Sequence, residues 1–260
     1  MNDGRARRLV APAKLTVSLR VTGVRPDGYH ELDAEMLTLS LADQLDVVDG
    51  ASGLRVEVGP GVRTEAMPAP GENLVERALV ACGRRAGVHL TKRIPLGGGL
   101  GGGSADAAAM LRWAGCADPE VAVRLGADVP FCLVGGRARV EGVGEKVTPL
   151  PFEAGDYVLL LPPFGVETAR VYAAWDEDPG EEGPNALTAA ALAVEPRLAP
   201  WRDALGDWAG KEPVLAGSGS TWFVEGAEGA TTRMPGELRV GSETARLVRA
   251  RAVPAGWQGD

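Results

Sequence analysis

The first place in this 260-residue chain where residue types and spacing suggest chemistry is the run Pro95, Leu96, Gly97, Gly98, Gly99, Leu100, Gly101, Gly102, Gly103, Ser104, Ala105. Its glycines let successive backbone N–H groups turn toward one bound group, an approach that side chains would obstruct. Ser104 reads as the N-cap of a helix carried by Ala105, Ala107, Ala108, Ala109, Met110 and Leu111, all good helix formers. The unpaired N–H groups and the positive end of that helix favour an anion, above all phosphate. A flexible linker is the bland alternative, but here an apolar helix starts within one residue of the last glycine. Gly97, Gly99 and Gly102 satisfy the dinucleotide spacing G-x-G-x-x-G. That fingerprint needs a buried parallel strand before it, whereas residues 88–93 alternate like a half-exposed strand and Pro95 intervenes. No Gly-Lys-Ser/Thr closes the loop, so the Walker design is absent.

Other groups that do chemistry lie far from this loop in sequence. Asp128 precedes the apolar run 129–134, where a carboxylate either caps a turn or helix or serves as a general base. Lys14 stands just before an alternating strand, and an edge lysine is ordinarily solvated or blocks edge pairing. Tyr29 and His30 follow the turn signal Pro26, Asp27, Gly28; such a pair either packs back on the core or binds a planar ligand. Gly217, Ser218, Gly219 and Ser220 form a second small-residue cluster beside an apolar strand, a sign of close backbone approach. Cys82, Cys116 and Cys132 are odd in number without C-x-x-C spacing, and the two histidines, His30 and His89, lie in different segments. A zinc site and a disulfide scaffold are both disfavoured, and each cysteine reads as a small core residue.

These groups need elements to hold them. Leu15, Val17, Leu19 and Val21 alternate with polar residues, as in a strand. Residues 36–48 read as two strands parted around Ala42 and Asp43, residues 54–58 as another, and residues 59–71 as a loop. Asn73 caps a helix reaching Gly83, and residues 88–94 lead into the glycine loop. Beyond the central helix come a short helix at 120–125 and strands at 137–143 and 157–161. Residues 165–175 pass from a loop into a helix with Thr168 near its start and Tyr172 one turn on. An acidic surface loop at 177–184 precedes helices at 186–192 and 200–208, the second with a packing stripe of Trp201, Leu205 and Trp208. A strand follows within 214–224, and the last stretch reads as a strand or frayed tail.

Composition bounds the class. Hydrophobic residues at 45% and charged residues at 24% fit a folded globular chain of one large domain or two lobes. A net charge of -8 disfavours a sequence-independent nucleic-acid binder. The basic stretch from Arg5 to Arg8 lacks the apolar core of a secretory signal, and no segment reaches about eighteen apolar residues. The expectation is a cytoplasmic protein with neither nucleic acid nor membrane as partner.

Three separated segments then make a pattern that none makes alone. APAK at 11–14, the glycine run at 95–105 and GSGS at 217–220 resemble, in order and spacing, the three motifs of the GHMP kinase superfamily. With RPDGYHEL at 25–32 and LGADVPFCL at 125–133 added, they resemble the branch whose acceptor is a cytidine diphosphate-linked methylerythritol, in the non-mevalonate (MEP) route to isoprenoids. The resemblance spans residues 10–224 and implies an α+β fold of two lobes with the active site in the cleft. An N-terminal lobe like ribosomal protein S5 domain 2 would cover residues 1–149 and a ferredoxin-like C-terminal lobe residues 150–260. It also implies ATP, Mg²⁺, a small-molecule acceptor, and a monomer or homodimer. By the same resemblance Asp128 takes the hydroxyl proton, and Lys14 is the cation that favours its charged form and the developing phosphoryl charge. Residues 95–105 would hold the ATP phosphates, with Ser104 near them and Mg²⁺. Tyr29 and Tyr172 would stack on the cytosine, His30 would hydrogen-bond its edge, and Thr168 would assist. Thr16 would supply a polar contact, and Gly217, Ser218 and Gly219 would close the pocket. Two positions depart from the pattern: Thr16 stands where asparagine is usual, and Ala216 where a serine often opens the third motif. Tyr29, His30 and Tyr172 argue against a superfamily kinase for another small alcohol, while the two departures leave open a nucleotide-binding module without turnover.

Overall fold

The computed structural model describes residues 6–60, 62, 68–69, 71–116, 118–180, 183–226 and 234–259. Parts of four segments read above, namely Arg5, residues 61, 63–67 and 70 of the 59–71 loop, residues 181–182 of the acidic loop, and residues 227–233 and 260 of the last stretch, lie outside them. The molecule is built on a long hairpin of β1 (Arg7–Val24) and β2 (His30–Asp49). Its turn is closed by Arg25 N–H donating to the Tyr29 carbonyl at 2.8 Å, Gly28 N–H to the Arg25 carbonyl at 2.9 Å, and an Arg25–Asp27 ion pair at 2.7 Å. Register shifts at Pro12/Lys14, Thr16/Ser18 and Val21/Gly23 bend β1 as bulges do.

The expected break at Ala42 and Asp43 does not occur, because β2 runs straight through it. A polar residue in an apolar run reads as a turn, but the Asp43 carboxylate is wholly buried, accepting the N–H groups of Arg93 and Ile94 and pairing with Lys92. On its far edge β2 pairs residues 44–49 with β4 (Ala86–Lys92) and residues 32–37 with β5 (Arg137–Gly142). A parallel β3 (Gly53–Val58) beside β4 and an antiparallel β6 (Lys146–Leu150) beside β5 complete a six-stranded sheet. Strand β6 has no place in the sequence reading: it is five residues long, mostly exposed and interrupted by Pro149, features of a sheet edge.

Four helices accompany this sheet: α1 (Leu74–Ala81), α2 (Gly102–Ala114), α3 (Pro119–Leu125) and α4 (Val129–Val134). Asn73 caps α1, its Oδ1 accepting Val75 N–H at 2.9 Å, and Asp118 caps α3 in the same way. Helix α2 is buried from Ala105 to Leu111, and its alanines let it lie close against β1.

The second sheet is antiparallel throughout, in the order β10 (Glu237–Val240), β11 (Glu243–Arg251), β7 (Asp156–Leu161), β9 (Trp222–Glu225), β8 (Val214–Leu215). The last stretch thus forms a paired hairpin over residues 237–251, and residues 252–259 follow it without a regular strand. With this sheet go α5 (Thr168–Glu177), α6 (Thr188–Val194) and α7 (Leu198–Ala209). Helix α7 buries Trp201 and Leu205 as its spacing predicts. The two sheets share a core in which Ala13, Leu15, Leu37 and Leu39 meet Leu159, Phe223 and Ala252. Backbone bonds also tie them, Val253 N–H to the Thr38 carbonyl at 2.9 Å and Ala186 N–H to the Leu19 carbonyl at 3.0 Å. Cys132 is buried, Cys82 and Cys116 are half-buried, and all three are free thiols. Among the described residues no helix is long and apolar enough to cross a membrane, and no cluster of three metal-ligating side chains occurs.

Candidate active site

Lys14 lies in the middle of β1 and only 5% of it is exposed, so it is not the solvated edge lysine its neighbours suggest. The bulge after Pro12 sets it beside the glycine loop, where its N–H donates to the Leu100 carbonyl at 3.0 Å. Its Nζ donates to Thr16 Oγ1 at 3.0 Å and stands 3.4 Å from Asp128 Oδ2. Asp128 occupies the N-cap position of α4, but its side chain makes no capping bond. That carboxylate faces Lys14 instead, with 31% of its side chain exposed.

Helix α2 opens three residues earlier than the Ser104 cap reading, with Gly101 as the cap residue and Ala105 N–H reaching the Gly101 carbonyl at 2.8 Å. Packing decides this. Gly101 sits at φ 65°, and a Cβ there would lie 2.7 Å from Lys14 Cγ, so only glycine lets the loop close over the lysine. Ser104 consequently falls in the first helical turn, where it lines the cavity. Gly99 at φ 74° rests against the Ala216 and Gly219 carbonyl oxygens, both of which a Cβ would strike. Thr221 N–H donates to the Gly98 carbonyl and Val166 N–H to the Gly97 carbonyl, each at 3.3 Å, which fastens the loop to the second sheet's connections.

A cavity of about 380 Å³ runs along this loop. Every residue from Pro95 to Ser104 lines it, as do Lys14, Thr16, Asp128, Thr168, Tyr172, Gly217 and Ser218. Thr168 Oγ1 and Ser218 Oγ are hydrogen-bonded at 2.9 Å across its far side. Burial, with the Asp128 charge second, raises the pKa of the Tyr172 phenol. Ala105, Tyr29, His30 and Gly219 do not line the cavity. Ala105 is buried in α2, and Gly219 backs Gly99. Tyr29 is 64% exposed at the hairpin turn. His30 stacks obliquely on Tyr172 with ring centroids 4.6 Å apart, and its Nε2 is 2.7 Å from Asp176 Oδ1.

The arrangement can hold a polyanion on backbone amides at one end and deprotonate a hydroxyl at the other. A sequence model described as "GHMP kinases N terminal domain" matches residues 73–136. The chain is 38% identical over 240 residues to the 4-diphosphocytidyl-2-C-methyl-D-erythritol kinase of Paracoccus denitrificans, covering 84% of this chain and 86% of that protein. The chain belongs to the 4-diphosphocytidyl-2-C-methyl-D-erythritol kinase family. The similarly named protein of Rhodopseudomonas palustris is 36% identical over 280 residues, covering 90% of this chain and 93% of its own. A crystal structure of a 4-(cytidine 5'-diphospho)-2C-methyl-D-erythritol kinase superposes with a TM-score of 0.67 at 36% identity, covering 84% of this chain and 89% of that one.

In this member of the 4-diphosphocytidyl-2-C-methyl-D-erythritol kinase family, the groups under the loop include several that the sequence reading did not single out. Lys92 Nζ is sandwiched between Asp43 Oδ2 and Asp106 Oδ2, the latter at 2.7 Å, with all three side chains at most 3% exposed. Burial pulls the Lys92 ammonium pKa down, but Asp106 and Asp43 outweigh that and hold it above the ordinary lysine value. Burial pushes the Asp106 carboxyl up to about 7 against the pull of Lys92, and its Oδ1 has no partner. A signal for Lys92 was present, since period two puts it on the same strand face as Val88 and Leu90. Asn185 is the other, 2% exposed, donating through Nδ2 to the Leu215 and Gly217 carbonyls at 2.8 and 2.7 Å and accepting Leu187 N–H at 2.9 Å. Its position before an alanine-rich run is a helix-start signal, but nothing local points to the distant Gly217.

Proposed function

We propose that this protein transfers the γ-phosphoryl group of ATP to the 2-hydroxyl of 4-diphosphocytidyl-2-C-methyl-D-erythritol, with residues 1–149 and 150–260 as its two lobes. The observation that carries the mechanism is the Lys14 ammonium, 3.4 Å from the Asp128 carboxylate, at the end of a cavity walled by the glycine loop. Asp128 accepts the hydroxyl proton as the oxygen attacks the γ-phosphorus. The bond to the β–γ bridging oxygen breaks and ADP leaves. Lys14 faces the negative charge that builds on the oxygens in flight. Residues 95–105 hold the phosphates, through the amides of residues 96–104, with the N-terminal end of α2 behind them. Mg²⁺ would accompany the nucleotide, with the Ser104 hydroxyl in the first turn of α2 as the side chain that would contact it, and would supply neutralisation of phosphate charge.

For the acceptor, Thr16, Gly217 and Ser218 border the erythritol end with Gly219 backing the glycine loop behind them, and Thr168, Tyr172, His30 and Tyr29 serve the cytosine. The His30–Tyr172 stack supports this assignment, because it presents an aromatic wall beside the cavity. The exposed Tyr29 ring then has to fold inward over the base. ADP release with Mg·ATP and the cytidylated acceptor, run beside mevalonate, homoserine and galactose, tests the reading. Turnover with the cytidylated compound alone supports it. Turnover with another alcohol overturns the acceptor, and nucleotide binding without turnover leaves a binding module.

A further inference from the structure

Behind the glycine loop lies a second cavity, of about 350 Å³, that no step of the proposed reaction uses. Pro95, Leu96 and Gly98 form a wall common to both cavities, so the second one backs directly onto the phosphate cradle. Its size is within the range of small-molecule sites. Two of its lining residues carry buried polar atoms without a hydrogen-bond partner, Arg246 Nε and Thr221 Oγ1. Thr221 is completely buried. The Arg246 guanidinium donates through one terminal nitrogen to the Pro60 carbonyl, and no carboxylate is in ion-pair range of it among the described residues. Its cross-strand neighbour Glu237 also lines the cavity, outside ion-pair range of the guanidinium. Burial pulls the Arg246 pKa down, as for a cation set into a low-dielectric wall. The remaining surface is largely apolar, with Phe164 and Pro163 prominent.

A guanidinium with no ion-pair partner and an unpartnered Nε, beside a free hydroxyl in a partly apolar recess, calls for an anionic partner with a hydrocarbon body. We propose that this cavity is a second binding site, taking a small organic anion whose carboxylate or phosphate rests on Arg246 and whose apolar body lies against Phe164 and Pro163. The site is separate from the nucleotide cradle and both can be filled together.

Calorimetric titration of the full-length protein, saturated with ADP to fill the cradle, tests this with phenyl phosphate, benzoate and inorganic phosphate as probes. Binding of phenyl phosphate or benzoate, at least about tenfold tighter than Arg246→Met under the same conditions, is the expected result. The two aromatic probes distinguish a phosphate from a carboxylate head group, and inorganic phosphate shows the contribution of the apolar body. Equal affinity in the variant, absence of binding by both aromatic probes, or binding only when ADP is left out each overturns the proposal. Thermal melting checks that Arg246→Met folds. If it does not, Arg246→Lys, which keeps the charge but loses the planar fork, and Thr221→Val replace it, and each should weaken the aromatic probes. The readout is binding, so a failure here is distinct from a failure of the kinase reading.

Discussion

Lys14 and Asp128 form a pair whose separate contributions can be measured. Asp128→Asn keeps the shape of the side chain and removes its proton-accepting capacity. Steady-state ADP release should then show kcat down by about 10²- to 10⁴-fold with KM for ATP little changed; an unaltered kcat would remove Asp128 from the chemistry. Beneath the loop, Asp106 makes a prediction about pH. Its carboxyl is raised from 3.8 to about 7 in the folded protein, so folding favours the protonated form. The associated stability is complete below the unfolded value and is lost as pH rises through about 7. Asp106→Asn mimics the neutral form, so urea midpoints taken between pH 5 and 8 should fall less steeply for the variant than for the natural protein; parallel slopes would reject the raised carboxyl. At this scale legibility depended on context. Asp128 and Lys14 drew attention through the motifs around them, since each alone looked like a cap or an edge residue. Asp43 looked like a chain break because sequence does not reveal that Lys92 waits 49 residues away.

The elements explain how flexible residues make a rigid site. Three carbonyls of the glycine loop are held by other segments, Leu100 by Lys14, Gly98 by Thr221 and Gly97 by Val166, which fixes the loop in place beside the cavity. Gly99→Ala forces a methyl group into the Ala216 and Gly219 carbonyls, and a fluorescent-nucleotide titration should show at least about a tenfold loss of affinity. An unchanged affinity would mean that the contact is incidental. Asn73→Ala should cost about 1 kcal/mol in denaturant melts through loss of the α1 cap. Most elements were legible from period and capping, among them α1, α3, α7, β3 and β4. What escaped was set by partners: β6 exists because β5 offers it an edge, and α2 starts at Gly102 because Lys14 lies beneath Gly101.

Across the whole molecule the two sheets are not independent bodies joined by a tether. Leu39 is fully buried in the core that both contribute to, and its neighbour Thr38 accepts the Val253 N–H. Tryptophan fluorescence and circular dichroism should therefore report one coincident unfolding transition in denaturant, and Leu39→Ala should lower its free energy by about 2–5 kcal/mol without splitting it. Two separated transitions would show that the sheets unfold independently. The seat of Gly99 on Ala216 and Gly219 has a further, evolutionary consequence. Two loops more than a hundred residues apart in the chain touch backbone to backbone, with no side chain between them to absorb a change. Neither can gain or lose a residue unless the other answers. Lineages descending from this fold should hold both loop lengths constant while the helices and strand ends around them drift.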